Sequence, residues 1–432
     1  MALRGQHQPC IWRPCLFQKY IPIVTHVVPL VCNSHYIVRP FLCSFRINND
    51  LICISGFDVS QNVPRRLASS SSCLYPSFGD SWMIEKMLWG ALAILAILVL
   101  FAQLPPKVAE GPLFQKGITY GSWRHDVYES LEAARSISLL EQTNAKWVSL
   151  VVTWYQQTLD SVVIYRDPHL TPDDRGVIRM IGQIHRLGMK VLLKPTVDIE
   201  DKSWRGEIRF DTEEDWQNWF SSYRYFVNYY AELAAKYGVE EFCVGVELAG
   251  TVDRNRDWNW VIENVRTRFK GPLTYAANWD NYWNVSFWDA LDYVGIDAYF
   301  ELATEGRVDT EDLLSAWEPW IQELDAFHEI VKKPILFTEI GCCSLAGASA
   351  RPWDWTISGQ VDLQEQAHYY EAAFRAVWGK PWFYGVYWWT WLPELSEIDE
   401  ADTGYSPQDK PAEQILTQWY GKSTPRGPTG AR

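Results

Sequence analysis

The sequence predicts an α/β fold, a closed (β/α)8 or TIM barrel, on three observations. Short apolar runs alternate with longer amphipathic segments from residue 113 to residue 421. The apolar runs are near-continuous, which marks strands of a parallel sheet covered on both faces. Eight such pairs fill about 310 residues, which suits a closed barrel better than an open doubly wound sheet. No Gly-rich phosphate loop follows the first strand: "GITYGSW" lacks the dinucleotide spacing.

The elements follow in order. "FQKGITYG" (114–121) is the first strand, a helical pattern runs from Val127 to Asn144, and "KWVSLVVTWY" (146–155) is the second strand. "TPDDRGVIRMIGQIHRLG" starts at Thr171, an N-cap, and stops at Gly188. "MKVLLKPTVD" (189–198) comes next, then a long helix from Thr212 to Tyr237 and "EEFCVGVELAG" (240–250). A helix around Trp258–Phe269 leads to "PLTYAANWD" (272–280), and a short helix near Trp283–Leu291 leads to "DYVGIDAYF" (292–300). Helix 310–331 precedes "PILFTEIGC" (334–342), helix 360–378 precedes "FYGVYWWTWL" (383–392), and Ala412–Trp419 closes the domain. Residues 422–432 read as a disordered tail.

The chain upstream is different in kind. Residues 1–82 hold six of the nine cysteines and a net charge of +4, against −14 for the whole chain. Their apolar residues keep neither helical nor strand period, and no disulfide framework shows in the cysteine spacing. Two readings fit: a disulfide-stapled minidomain, or a disordered extension that reflects a misassigned start, with the protein proper beginning at Met83 or Met87. The missing framework favours the second. Leu88–Leu104 is an apolar run flanked by Lys86 and by Pro105–Pro106. It reads as a signal anchor or a signal peptide, with linker to residue 112, and 88–104 is the place where the chain can meet a membrane. The barrel is then expected outside the cytoplasm, extracellular or membrane-anchored, and as a monomer.

A net charge of −14 argues against nucleic acid as a partner, because phosphate binding needs a basic face. The 24 Trp and 22 Tyr point either to flat apolar ligands or to an aromatic core. His125, His169 and His185 lack ligand spacing, so no metal is expected, and no cofactor.

In such a barrel the C-terminal strand ends form the site. They carry Tyr120, Ser122 and Trp123; Trp154 and Tyr155; Lys194 and Asp198; Glu247; Asn278 and Trp279; Asp297 and Tyr299; Glu339; and Trp389 and Trp391. This is a ring of aromatics around two carboxylates on strands 4 and 7, with Lys194 and Asn278 as polar orienters. Indole faces stack on sugar rings while polar groups take the hydroxyls. A retaining glycosidase needs its two carboxyls about 5–5.5 Å apart, one protonated and one ionised. An apolar strand around Glu247 would raise its pKa, and Tyr299 is placed to donate to Glu339, so Glu247 reads as acid/base and Glu339 as nucleophile. Asp297 reads equally as a structural salt-bridge residue, and Trp204 and Arg205 equally as lid packing or sugar contact.

"VGVELAGT" (244–251), "SWRGEI" (203–208), "LFTEIG" (336–341) and "YWWTW" (387–391) resemble glycoside hydrolase family 113, the β-mannanases of clan A. The resemblance spans about residues 114–420. It implies a retaining hydrolase of β-1,4-mannan or glucomannan without a metal, with Glu247 and Glu339 as the catalytic pair. Trp389 and Trp391 become sugar platforms; apart from the resemblance, Trp123 and Trp279 at strand ends and Trp204 in the loop after strand 3 are expected substrate contacts. Most of clan A has Asn before the acid/base; this chain has Val246, as family 113 also departs there. That leaves the sugar 2-hydroxyl to Asn278 or Lys194. Another retaining β-glycanase, or a non-catalytic carbohydrate-binding barrel, is the competing reading, and only the first two have a use for both carboxylates.

Overall fold

The computed structural model describes residues 37–47, 50–60, 89, 114–302, 308–395 and 402–424. Of the apolar run 88–104 only Trp89 is described, so the expected anchor lies outside the described residues, as does the tail beyond residue 424. No described helix is long and apolar enough to cross a membrane.

Within the extension, read from sequence as lacking regular structure, Ile37–Ile47 and Asp50–Ser60 pair antiparallel, from Ile47 opposite Asp50 to Ile37 opposite Ser60. Both segments are rich in β-branched and aromatic residues, and that propensity accounts for strands where no clean alternation was visible.

The second unit is a closed barrel of eight parallel strands. They are β1 (Gln115–Tyr120), β2 (Trp147–Gln156), β3 (Lys190–Ile199), β4 (Glu241–Val246), β5 (Leu273–Asn278), β6 (Val294–Asp297), β7 (Ile335–Ile340) and β8 (Phe383–Trp391). Each pairs with its neighbours in sequence, and β8 closes on β1. The helices are α1 (Leu131–Glu141), α2 (Asp174–Arg186), α3 (Glu213–Tyr237), α4 (Asn255–Arg268), α5 (Thr310–Val331), α6 (Leu363–Val377) and α7 (Pro411–Gly421).

Local chemistry sets the helix ends. Ser130 accepts from the Ala133 N–H and starts α1, later than the Val127 start expected, because Val127–Glu129 forms a separate 3-10 turn. Thr212 caps α3 and Gly238, at φ +73°, ends it. The helix expected at 283–291 is replaced by two 3-10 turns, Tyr282–Asn284 and Trp288–Ala290. The Ser286 hydroxyl donates to the Val252 carbonyl at 2.9 Å, and Tyr282 and Trp283 are tied at 2.7 Å each to Glu323 of α5, contacts that hold the segment in turns.

Side-chain alternation divides the barrel into two cores. On β3, Val191, Leu193 and Val197 join the outer core under the helices, while Leu192 belongs to an inner cluster with Trp147, Cys243, Val246, Ala276 and Tyr387. Many of the tryptophans sit in the outer core: Trp219, Trp258, Trp317, Trp382 and Trp388 are fully buried between sheet and helices. The aromatic richness is thus partly a matter of packing, in a layer that fastens helices to strands.

Candidate active site

The inner face of β3 continues past Leu192 to Lys194, Thr196 and Asp198, so the barrel interior turns polar toward its C-terminal end. Lys194 is a fully buried ammonium, its side chain 1% exposed. It donates to Glu339 Oε1 at 2.5 Å and to Asp297 Oδ1 at 3.2 Å. Burial alone would push its pKa down, but the charges of Asp297 and then Glu339 more than offset this and raise it, so it stays charged. Asp297, with no exposed surface, also accepts from Thr338 Oγ1 at 2.8 Å. Its reading as a buried salt-bridge partner is the one that the geometry supports.

Glu339 accepts a second hydrogen bond, from the Tyr299 phenol to Oε2 at 2.8 Å. Burial, and next the neighbouring Glu339 charge, hold the Tyr299 hydroxyl well above its ordinary pKa, so it remains a donor. Two donors, one of them charged, fix the orientation of the Glu339 carboxyl.

Glu247 is presented differently. β4 shifts register against β5 between Cys243 and Val246, and the Glu247 N–H then donates to the Ala276 carbonyl at 2.8 Å. At Glu247 the chain enters the left-handed region, φ +51°, which costs a non-glycine residue about 1–2 kcal/mol. The next N–H, of Leu248, is held by the Tyr275 hydroxyl at 2.9 Å. The turn brings the Glu247 side chain into the cavity wall, 14% exposed, with Oε2 accepting from Arg205 Nη1 at 3.0 Å. Burial raises the Glu247 pKa, Arg205 opposes that and the Glu339 charge adds to it; the net direction is up.

Both carboxylates line one cavity of about 970 Å³. Its walls include Trp123, Trp204, Asn278, Trp279, Tyr299 and Trp389, each expected from sequence. Trp123 and Trp389 meet edge to face at 5.9 Å, and Trp279 is braced by Trp320 at 5.6 Å. Asn278 Nδ2 donates to Asp280 at 2.6 Å.

Two expected contacts are corrected. Lys194 does not line the cavity to hold a sugar hydroxyl; it is buried and donates to the carboxylates of Glu339 and Asp297. Trp391 is no platform: it is 2% exposed, with its indole N–H on Ser136 Oγ of α1 at 3.0 Å. The pairing of β8 with β1 shifts register between Trp388 and Trp391, so counting by twos from Trp389 points the wrong way.

Other cavity residues were missed. Trp353 and Trp355 come from the loop after β7, Trp353 tied to Glu301 at 3.0 Å and Trp355 with 73% of its surface exposed. Two Trp spaced by one residue in "RPWDWT", downstream of the Glu339 strand, were the available signal. Tyr405, from the segment after β8, completes the wall.

The sequence model of glycoside hydrolase family 113 matches residues 118–410. Among solved structures, a GH113 β-mannanase from Alicyclobacillus acidocaldarius, in complex with ManMIm, is similar at 34% identity and a TM-score of 0.67, over 72% of this chain and 98% of that one. A complex structure of a GH113 β-1,4-mannanase is similar at 30% identity and a TM-score of 0.66, over 71% of this chain and 99% of that one. No curated protein matches. The family match over most of the chain, together with a barrel whose mouth holds Glu247 and Glu339 in one tryptophan-walled cavity, places this chain in glycoside hydrolase family 113 and makes it a glycoside hydrolase.

Proposed function

We propose that the enzyme cleaves β-1,4-linked mannan or glucomannan by double displacement, with Glu339 as nucleophile and Glu247 as acid/base. The observation that carries the assignment is the unequal partnering of the two carboxylates: Lys194 and Tyr299 both donate to Glu339, whereas Glu247 sits in a dry wall that raises its pKa. In the first step Glu339 attacks the anomeric carbon as Glu247 gives its proton to the glycosidic oxygen, so the leaving chain departs as an alcohol. The glycosyl-enzyme ester is then cleaved by a water that loses its proton to Glu247, which restores both residues. Indole faces of Trp123 and Trp389 supply stacking surfaces for the sugar rings. The mannan preference is supported by the solved β-mannanases that this chain resembles.

Product analysis on mannan, glucomannan, xylan and cellulose tests the substrate. Mannan or glucomannan cleavage with the β-anomer as first product is expected; cleavage of xylan alone, or an inverted product, overturns the reading. The apolar run 88–104 supports a barrel exported from the cytoplasm, to be checked by fractionation of expressing cells.

A further inference from the structure

Arg205 lies on the 3-10 turn Arg205–Glu207 that follows β3, and each edge of its guanidinium is used. Nε donates to the Val197 carbonyl at 2.9 Å, Nη1 to Glu247 Oε2 at 3.0 Å, and Nη2 to Asp198 Oδ1. The other oxygen of Asp198 accepts from the Trp123 indole at 2.8 Å. A guanidinium at this distance is a problem for a general acid, because an adjacent cation favours the ionised carboxyl.

We propose that Arg205 and Asp198 form a positioning clamp for the acid/base: the guanidinium engages Oε2 of Glu247, leaving Oε1 to carry the transferable proton, and Asp198 balances the charge that Glu247 feels. The proposal rests on Glu247 being the acid/base. The clamp lets one residue serve both half-reactions. When Glu247 has given up its proton, Arg205 is already bonded to the carboxylate; when Glu247 must be protonated again, Asp198 keeps the cation from holding it ionised. A lone arginine would favour only the second half-reaction, and no arginine would favour only the first.

The other groups that bear on Glu247 do not replace this pair. Glu339 of β7 and Lys194 of β3 act on it with opposite signs, Trp204 donates to it, and Tyr275 of β5 and Asp297 of β6 complete the set. Lys194 is engaged by two carboxylates of its own. Tyr155 of β2 faces Asp198 and Arg205 rather than Glu247.

The test is the pH dependence of kcat/KM on mannan oligosaccharides, whose alkaline limb reports the free enzyme's acid. Arg205→Gln should move that limb up by about one pH unit, and Asp198→Asn should move it down by about as much. Arg205→Lys keeps the charge but loses the fork, so its limb should stay near wild type while kcat drops about tenfold. A role confined to folding would lower activity without shifting the limbs in opposite directions. Limbs that do not move, or that move the same way, overturn the clamp. Glu247→Ala with an activated aryl β-mannoside and azide keeps the two readings apart. Rescue to the β-mannosyl azide with unmoved limbs sinks the clamp alone, and no loss of activity in Glu247→Ala sinks the acid/base assignment as well.

Discussion

Two glutamates bracket the fourth strand of the barrel. Glu241 opens β4 at the N-terminal end, and Glu247 follows its last residue at the mouth. Both are raised above the ordinary carboxylate range, and in both the first cause is burial. Their partners differ. Glu241 accepts from the Gln115 amide at 2.5 Å, and Gln115 in turn accepts from the Tyr387 hydroxyl. That network is neutral, and Glu241 Oε1 has no hydrogen-bond partner among the described residues. Glu247 faces a guanidinium and an open cavity. Burial by itself therefore makes a stored proton; a cation and access to substrate turn it into a proton that can be given and retaken.

The kinetic contrast should be the largest effect. Glu339→Ala removes the group that forms the covalent intermediate and should lower kcat on the order of 10⁵-fold. Azide should partly restore turnover with an inverted product. Glu247→Ala should cost about 10²–10⁴-fold on polysaccharide, and far less on a substrate whose leaving group needs no proton. Glu241→Gln should leave both constants near wild type. Steady-state kinetics on all three would break the comparison if the buried Glu241 proved as necessary as the other two.

Lys194 is the buried cation that two carboxylates share beneath the mouth of the barrel. Lys194→Met leaves Asp297 and Glu339 without their ammonium in a dry interior, which should cost about 3–5 kcal/mol in urea unfolding. Lys194→Met combined with Asp297→Asn removes one stranded charge and should regain part of that stability. Turnover should remain low, because Glu339 keeps the Tyr299 hydroxyl but still lacks its charged donor. Recovery of turnover in the double variant would mean that Lys194 only neutralises Asp297.

These contrasts also show what a linear reading could see. Strands buried on both faces write themselves as near-continuous apolar runs, so the eight strands stood out in order. Glu247, Glu339 and the Tyr299 contact followed from counting strand ends. Lys194 was visible as a charge in an apolar strand, but its partners lie about a hundred residues or more away on β6 and β7, and a list of strand ends does not say which groups meet. Trp391 was misplaced because a register shift breaks the alternation on which the count rests. Arg205 stood in the quoted "SWRGEI", yet its three acceptors are set by the fold of the turn.

The smallest predicted effect separates the two glutamates by pH. Glu241, which has no exposed surface, has its pKa raised from 4.5 to about 8. A carboxyl raised in this way holds its proton more tightly folded than unfolded. Below 4.5 both states are protonated and Glu241 carries no penalty; from 4.5 to about 8 only the unfolded state loses the proton, so stability falls, and above about 8 the loss is complete. At pH 7 that penalty is about 3 kcal/mol. Glu241→Gln keeps an acceptor for the Gln115 amide but has no proton to lose. Its stability relative to wild type should therefore be near zero at pH 4.5 and rise steadily toward pH 8, as read from urea unfolding across that range. The same change at Glu247 should trace a shallower curve, since Arg205 already offsets part of the burial. Parallel curves for wild type and Glu241→Gln would show that Glu241 exchanges its proton as freely folded as unfolded, and the difference between the two ends of β4 would then rest on access to the cavity alone.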